Sequence, residues 1–191
     1  MTPAFLGTQG KRLYLGGRAI RRAYLGDQLV YEALREVTAT GSGATQAAAD
    51  EAARAALLAA HPDVTDVTVA AGPVTLGAPV VGGRGRQSGS HGFAFAWQAV
   101  VAAASYDWEA RYFTDTDARW SGNTAGQWSD PFLVSSNAVN VYCRARARNA
   151  AGPGPWSATE SFTRALAPID ASPPAGTAAS TFTATATGRA P

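Results

Sequence analysis

The stretch Asn140-Val-Tyr-Cys-Arg-Ala-Arg-Ala-Arg-Asn-Ala-Ala-Gly-Pro-Gly-Pro-Trp-Ser157 decides the fold of this chain. Its first half alternates, so that one face receives the small and apolar side chains Val139, Val141, Cys143, Ala145 and Ala147. The opposite face receives Tyr142, Arg144, Arg146 and Arg148. A period of two predicts a half-buried strand of an antiparallel sheet. The Gly-Pro-Gly-Pro run predicts a turn into a further strand.

Similar short strands flank this stretch. Residues 93–97 and 106–112 also alternate between apolar and polar, and Phe162 lies in a last strand after the turn. Short strands at regular spacing with turns between them predict an antiparallel β-sandwich. The Gly- and Ser-rich residues 82–92 that precede it predict a flexible loop or linker.

The N-terminal region contains an internal repeat. Residues 12–21 and 22–31 each read as a short strand, a Gly-Gly or Gly-Asp turn and a second short strand, which predicts two tandem β-hairpins. So few strands rarely stand alone in water, so we expect this region to dock on the rest of the chain or on a partner. The candidate assembly residues are Tyr14, Tyr24 and Tyr31.

Between the hairpins and the sandwich the pattern predicts a strand-helix-strand element. A strand starts at Glu36 and breaks at glycine, a helix capped by Thr45 runs to Ala60, and residues 63–69 form a second strand. The expected organisation is a mainly β chain with four parts: hairpins at 1–35, the strand-helix-strand element at 36–76, the sandwich at 77–165, and an extended Ala/Thr/Pro-rich arm at 166–191. We expect a neighbour to complete a strand of that arm.

Composition narrows the class of function. The formal net charge is +2, which gives no electrostatic reason to expect nucleic-acid binding. The single Cys143 excludes an internal disulfide. No apolar run approaches the roughly 18 residues of a membrane span, so no membrane insertion is expected. The first residues lack the basic start and apolar run of a signal peptide, so synthesis in the cytoplasm is expected.

Residues 77–165 resemble a fibronectin type III domain. The resemblance rests on Trp97, which matches the tryptophan under the sheet in that family, on Ser105-Tyr106, and on the turn at 149–157. The chain departs from the family at Val141, where a tyrosine is usual; Tyr142 is the nearest candidate but has the opposite parity. Membership would imply a spacer or binding surface in place of a catalyst.

A second resemblance covers residues 11–60. The Tyr-Leu-Gly repeat and the Thr-Ala-Thr-Gly stretch before an Ala-rich helix look like modules of tailed-phage tail-fibre and baseplate proteins. Together with a fibronectin-like domain, they imply a virion component of a tailed phage or gene transfer agent. Such a protein would be a homo-oligomer located in the virion. Its partners would be other virion proteins, with a host surface polysaccharide or protein as a further candidate.

The residues that carry enzyme chemistry are sparse. His61 ends a helix and His91 lies in the Gly/Ser stretch, and neither has further ligands at metal-binding spacing. Asp115 and Asp117 are more typical of a turn than of a cation site, and Cys143 is typical of a small core residue. One Arg-Gly copy at 82–86 is weak evidence for RNA binding. We therefore expect no catalytic residues, no cofactor and no metal.

Two groups of residues are candidates for partner binding. The arginines Arg144, Arg146 and Arg148 would pair with Asp107, Glu109 or other acids across the sheet, or else bind an acidic partner or a surface polysaccharide; the first interpretation is favoured. The aromatic residues Tyr112, Phe113, Trp120 and Trp128 lie in or near polar loops, where they would stack on sugars or dock a protein unless they pack in the core.

The first hypothesis is a non-enzymatic virion structural protein: a tail-fibre, baseplate or tail-tip, or head-decoration component. The N-terminal part would anchor it, and the fibronectin-like domain would contact the host surface or brace its neighbours. The alternative is a carbohydrate-binding accessory module of a bacterial surface or polysaccharide-degrading system, which would need export. A catalytic subunit completed by another chain is a weaker third. Receptor, copy number and head-or-tail location stay open.

Overall fold

The computed structural model describes the backbone of residues 13–15, 18–20, 22–25, 28–32, 34–86, 92–134, 140–163 and 172–191. Side chains are described for 34–83, 92–134, 140–162 and 172–191. Within these ranges the protein is mainly β, with one α-helix. The chain forms two compact units, Met1–Gly72 with Thr183–Pro191, and Pro73–Phe182. We call the first the split unit and the second the sandwich.

The N-terminal repeat forms the two hairpins that it predicts. Strand β1 (Leu13–Leu15) pairs antiparallel with β2 (Arg18–Ile20). Strand β3 (Arg22–Leu25) pairs antiparallel with β4 (Gln28–Glu32). The side chains of Tyr14, Tyr24 and Tyr31 lie outside the described part of the chain, so their assembly role stays a prediction.

The split unit contains the predicted strand-helix-strand element: β5 (Arg35–Gly43), α1 (Gln46–Ala60) and β6 (Thr65–Ala71). The Thr45 hydroxyl caps the helix by accepting a hydrogen bond from Ala48 N at 3.2 Å, as the sequence predicts. The buried helix residues recur every four positions, at Ala49, Ala53 and Leu57. That spacing turns one narrow stripe of the helix inward.

Strand β5 continues through Gly41, where the sequence predicted a break. A Cβ atom at Gly41 would lie 2.6 Å from the carbonyl carbon of Ala52 and 2.7 Å from the carbonyl oxygen of Ala49. The glycine therefore marks the closest approach of helix and strand, where no other side chain fits. Local sequence cannot distinguish this use of glycine from a chain break.

The last strand, β17 (Phe182–Ala190), occupies the middle of the three-stranded sheet, in the order β5-β17-β6. It runs antiparallel to β6, with Ala186 opposite Val69 and Thr187 opposite Thr68. The sequence placed residues 166–191 in a separate arm whose strand a neighbour would complete. The partner strands of β17 instead come from the same chain, and its alanines Ala184 and Ala186 are buried in the resulting unit.

The sandwich has two principal antiparallel sheets. One has the order β11-β10-β13, with β14 and β15 both paired to β13, and the other has the order β12-β8-β7. Short strands β9 and β16 pair in parallel. The bounds are β7 Val81–Arg86, β8 Gly92–Trp97, β9 Ala99–Val100, β10 Ser105–Tyr112, β11 Trp120–Thr124, β12 Phe132–Leu133, β13 Asn140–Asn149, β14 Gly152–Pro153, β15 Glu160–Thr163 and β16 Thr177–Ala178.

Part of the predicted loop at 82–92 is strand β7. Its glycines admit close neighbours: a Cβ atom at Gly83 would lie 2.9 Å from the Cβ of Ala96. The lack of a side chain at Gly83 allows this close contact with β8, so a segment whose composition predicted a linker forms a strand instead. His91, within the same predicted loop, lies outside the described residues.

Aromatic side chains fill the sandwich core. The Phe95 ring of β8 meets the Trp108 ring of β10 edge-on at 5.9 Å, which joins the inner faces of the two sheets. Trp97 is fully buried beside Tyr106, at 5.6 Å between ring centroids. The hydroxyl of Tyr106 accepts a hydrogen bond from Val100 N at 2.9 Å and fixes the adjoining turn. Such ring contacts add to the burial energy of a core whose other residues are mostly valine and alanine.

Candidate functional site

The arginine face of β13 is ordered by strand register. In the antiparallel pair of β10 and β13, Glu109 lies opposite Arg144 and Asp107 lies opposite Arg146. Strict alternation buries Val141, Cys143, Ala145 and Ala147 and turns the charged residues outward, as the sequence predicts. The opposite charges therefore meet at the short cross-strand distance of a sheet.

Glu109 and Asp107 both accept hydrogen bonds from arginines of β13. Arg144 donates from Nε and Nη2 to Glu109 Oε2, at 2.9 and 2.6 Å. Asp107 Oδ2 accepts from Arg146 Nε and from Arg148 Nη1, each at 2.9 Å. The cross-strand pairing that the sequence favoured is present, and part of each arginine side chain remains in water.

The pKa of the Asp107 carboxyl lies below its ordinary value. Burial acts in the opposite direction, but hydrogen bonds from Asn123, Arg148 and Arg146 to the ionised form outweigh it. Asn123 donates to Oδ1 at 2.9 Å, so both carboxylate oxygens have donors. Asp107 is therefore the electrostatic centre of this face.

Trp156 covers two of the arginines. The Cζ atoms of Arg144 and Arg146 each lie 4.5 Å from the centroid of a Trp156 ring, within cation-π range. Ser157 fixes the segment, because its Oγ accepts from Ala145 N at 3.1 Å and its own N–H donates to Ala145 O at 2.8 Å. The Trp-Ser pair after the Gly-Pro turn thus fastens the segment to β13.

The candidate aromatic residues lie at two different places in the sandwich. The rings of Tyr112 and Trp120 meet edge-on at 4.9 Å, and Trp120 stacks on Phe132 at 4.7 Å. The Arg119 guanidinium lies 5.0 Å from the Tyr112 ring and 5.6 Å from the Trp120 ring. Trp120 is half-buried and packs against the core. Trp128 is also half-buried, but it lies beside β8, bridged to Ala96.

A cleft on the outer face of β10 and β13 is the feature that sequence reasoning missed. Its volume is about 140 Å³, and its polar lining comprises Glu109, Arg111, Thr116, Tyr142, Arg144 and Thr159. Arg111 lies directly opposite Tyr142 in the strand register, and its Cζ is 5.2 Å from the Tyr142 ring. The alternation of both strands could have identified this pair, but only once their register was known.

An exposed aromatic residue lies beside Tyr142, one of the residues that line the cleft. The ring of Phe113 lies 5.8 Å from that of Tyr142, and 65% of Phe113 is exposed. Arg111 also donates to the carbonyl oxygen of Asp115, which ties the loop after β10 to the cleft. Phe113, Tyr142 and Arg111 therefore form one surface with an apolar and a cationic side.

The other chemical candidates have local roles. Asp115 pairs with Arg119 at 3.8 Å within the turn, which agrees with turn chemistry. Burial, together with the charge of Glu160, raises the pKa of the Cys143 thiol well above its ordinary value. Across the described ranges, no cluster of three or more His, Cys, Asp or Glu side chains is arranged to hold a metal ion. No helix there is long and apolar enough to cross a membrane.

Comparison with known proteins adds no assignment: no protein-family model matches the chain, and no curated protein matches its sequence.

Proposed function

We propose that the protein is a non-enzymatic structural component of a tailed-phage or gene-transfer-agent virion, in a tail fibre, a baseplate or tail tip, or a head decoration. The split unit with its hairpins would anchor the chain, and the sandwich would contact the host surface or brace its neighbours. The observation that carries the proposal is topological. The sandwich is inserted between β6 and β17, two strands that pair with each other.

An inserted domain suits a chain in which the split unit anchors and the sandwich makes the outer contacts. The strand before the sandwich segment and the strand after it belong to the same sheet. Residues 73–182 are therefore one insertion between two paired strands. Insertions of this kind are tolerated because domain termini often lie close together. The host-contact or bracing surface can then vary while the anchor is preserved.

The finer assignment of the sandwich as fibronectin type III-like is part of the same proposal. Its support is the division of strands between the β12-β8-β7 sheet and the β11-β10-β13 sheet, and the fully buried Trp97. Sandwiches of this architecture recur in surface and adhesion proteins. Fold analogy alone does not give a function, so the surface residues must carry the argument.

The alternative, a carbohydrate-binding accessory module, is favoured by one observation: the cleft beside Phe113. The two functions differ in assembly, since a virion part is repeated by symmetry and an accessory module acts as a single copy. Light scattering of the purified full-length chain at several concentrations tests this difference. A discrete trimer, hexamer or similar ring supports the proposal, whereas a strict monomer that binds glycans supports the alternative.

A further inference from the structure

We propose that the cleft on the outer face of β10 and β13 binds a carboxylate-bearing sugar, one residue of an acidic surface polysaccharide. This inference rests on the proposed host-contact role of the sandwich and names the class of ligand. Arg111, Tyr142, Arg144, Thr116 and Thr159 line the cleft, and Phe113 lies beside Tyr142. Arg144 and Phe113 are the two among them that the sequence had already indicated for partner binding.

The size of the cleft sets the size of the ligand. Its volume of about 140 Å³ is well below the roughly 300–1,000 Å³ of pockets that enclose a drug-sized molecule. It can therefore hold one ring or one side chain, with the rest of the ligand in solvent. A repeating polymer fits this arrangement, because one unit is held while its neighbours extend along the surface.

The charges favour a carboxylate. Two guanidinium groups, on Arg111 and Arg144, line the cleft against the single carboxylate of Glu109. Arg144 uses Nε and Nη2 for Glu109, and Arg111 uses Nη1 for the Asp115 carbonyl. Among the described residues, no hydrogen-bond acceptor pairs with Arg144 Nη1 or Arg111 Nη2. Guanidinium donors match carboxylate oxygens in both charge and geometry.

The remaining groups favour a sugar over an acidic side chain. A sugar ring presents an apolar C–H face, and the exposed Phe113 ring beside Tyr142 offers a matching surface. Its hydroxyl groups can both donate and accept, as can the hydroxyls of Thr116, Thr159 and Tyr142. An Asp or Glu side chain of a protein would occupy the arginines and leave these groups unused.

The test is titration calorimetry of the full-length protein with oligomers of galacturonic acid and with galactose oligomers of equal length, which lack the carboxylate. We expect binding of the acidic oligomer alone, weakened by added salt. Arg111→Gln and Phe113→Ala should each weaken it by about tenfold or more. Phe113 is largely exposed, so its replacement leaves the core intact.

Matched controls are available elsewhere on the chain. Leu133→Ala removes an equally exposed apolar side chain, at 68% exposure, from β12, and Arg54→Gln removes an exposed arginine from helix α1. Neither should change the affinity. Melting curves of all four variants establish that the fold is kept.

Three results would overturn the proposal: equal binding of acidic and neutral oligomers, unchanged affinity in both cleft variants, or no binding of the acidic oligomer. Binding of poly-glutamate that depends on Arg111, without sugar binding, would assign the cleft to a protein partner instead. None of these results alters the mass measured by light scattering, so failure of this inference and failure of the virion proposal are distinguishable.

Discussion

Arg146 donates from Nε to Oδ2 of Asp107 over 2.9 Å, and the two residues lie directly opposite each other in neighbouring strands. The pair stands at the middle of the charged face of the sandwich. Because Asp107 also accepts from Asn123 and Arg148, this single carboxylate joins β11, β10 and β13.

Replacing Asp107 by asparagine should destabilise the sandwich. The substitution removes the charge that two arginines share, and we expect a loss of about 1–3 kcal/mol in the free energy of unfolding. Urea unfolding followed by tryptophan fluorescence measures it. Asp117→Asn, in the exposed loop after β10, is the control and should have no effect. Equal stability of both variants would show that the network contributes nothing.

The same carboxyl group should make stability depend on pH. Its pKa in the folded protein lies below the ordinary value of 3.8, so the unfolded chain binds the proton more readily. The stabilisation is then fully present above the unfolded pKa and is lost as pH falls through the folded pKa. The difference in unfolding free energy between wild type and Asp107→Asn should shrink from about pH 6 to about pH 2. A constant difference would contradict this.

Gly41→Ala should disrupt the split unit and spare the sandwich. The added methyl group would collide with the backbone of helix α1 at Ala52 and Ala49, and overpacking of this kind costs about 1–3 kcal/mol. Hydrogen exchange should show faster exchange in β5 and α1, with unchanged protection in β13. Ser42→Ala, on the opposite face of the same strand, is the matched control. Unchanged exchange in Gly41→Ala would refute the close approach.

Removing residues 183–191 should unfold β5, α1 and β6 while the sandwich stays folded. The deletion takes away the strand that separates β5 from β6, so neither retains a paired neighbour in that sheet. Far-UV circular dichroism should lose its helical signal, and near-UV signals from the buried tryptophans should persist. For the same reason, a fragment of residues 1–72 should not melt cooperatively. Thr185→Val with Thr187→Val keeps the strand and should preserve the sheet.

Cys143 should resist thiol reagents in the native protein. Its side chain is fully buried, and burial followed by the charge of Glu160 raises its pKa, so little thiolate forms at mildly alkaline pH. We expect no labelling by a chromogenic disulfide without denaturant and one thiol with it. Ser121→Cys adds an exposed thiol on β11 and should react at once. Rapid native labelling of the parent chain would mean that the sandwich opens readily.

The sequence pattern correctly predicted the elements that are determined by neighbouring residues. Alternation identified the two faces of β13, and the cap at Thr45 identified the start of α1, because both depend on residues close in sequence. The pattern failed at Gly41 and Gly83, where glycine serves a close contact with a distant segment. It also missed the place of β17, since Phe182-Thr-Ala-Thr-Ala-Thr187 carries no signal for which strands will flank it.

The candidate site also contains one part that the sequence predicted and one part that it did not. The pairing of Arg144 with Glu109 was predictable because opposite charges occupied neighbouring outward positions. The cleft was not, because the proximity of Arg111 and Tyr142 depends on register, and that of Phe113 depends on the path of a loop. Sites built across strands are therefore visible only after the strands are aligned.

The position of β17 also sets the order in which the protein can be made. Between Ala71 and Phe182 the ribosome synthesises the whole sandwich, which takes about 5–20 s at typical elongation rates of roughly 5–20 residues per second. The split unit cannot close until β17 has been made, because β17 lies between β5 and β6 in the sheet. A chain interrupted anywhere before Phe182 leaves the split unit open. Closure of the split unit by β17 therefore requires that the whole inserted domain has been translated first.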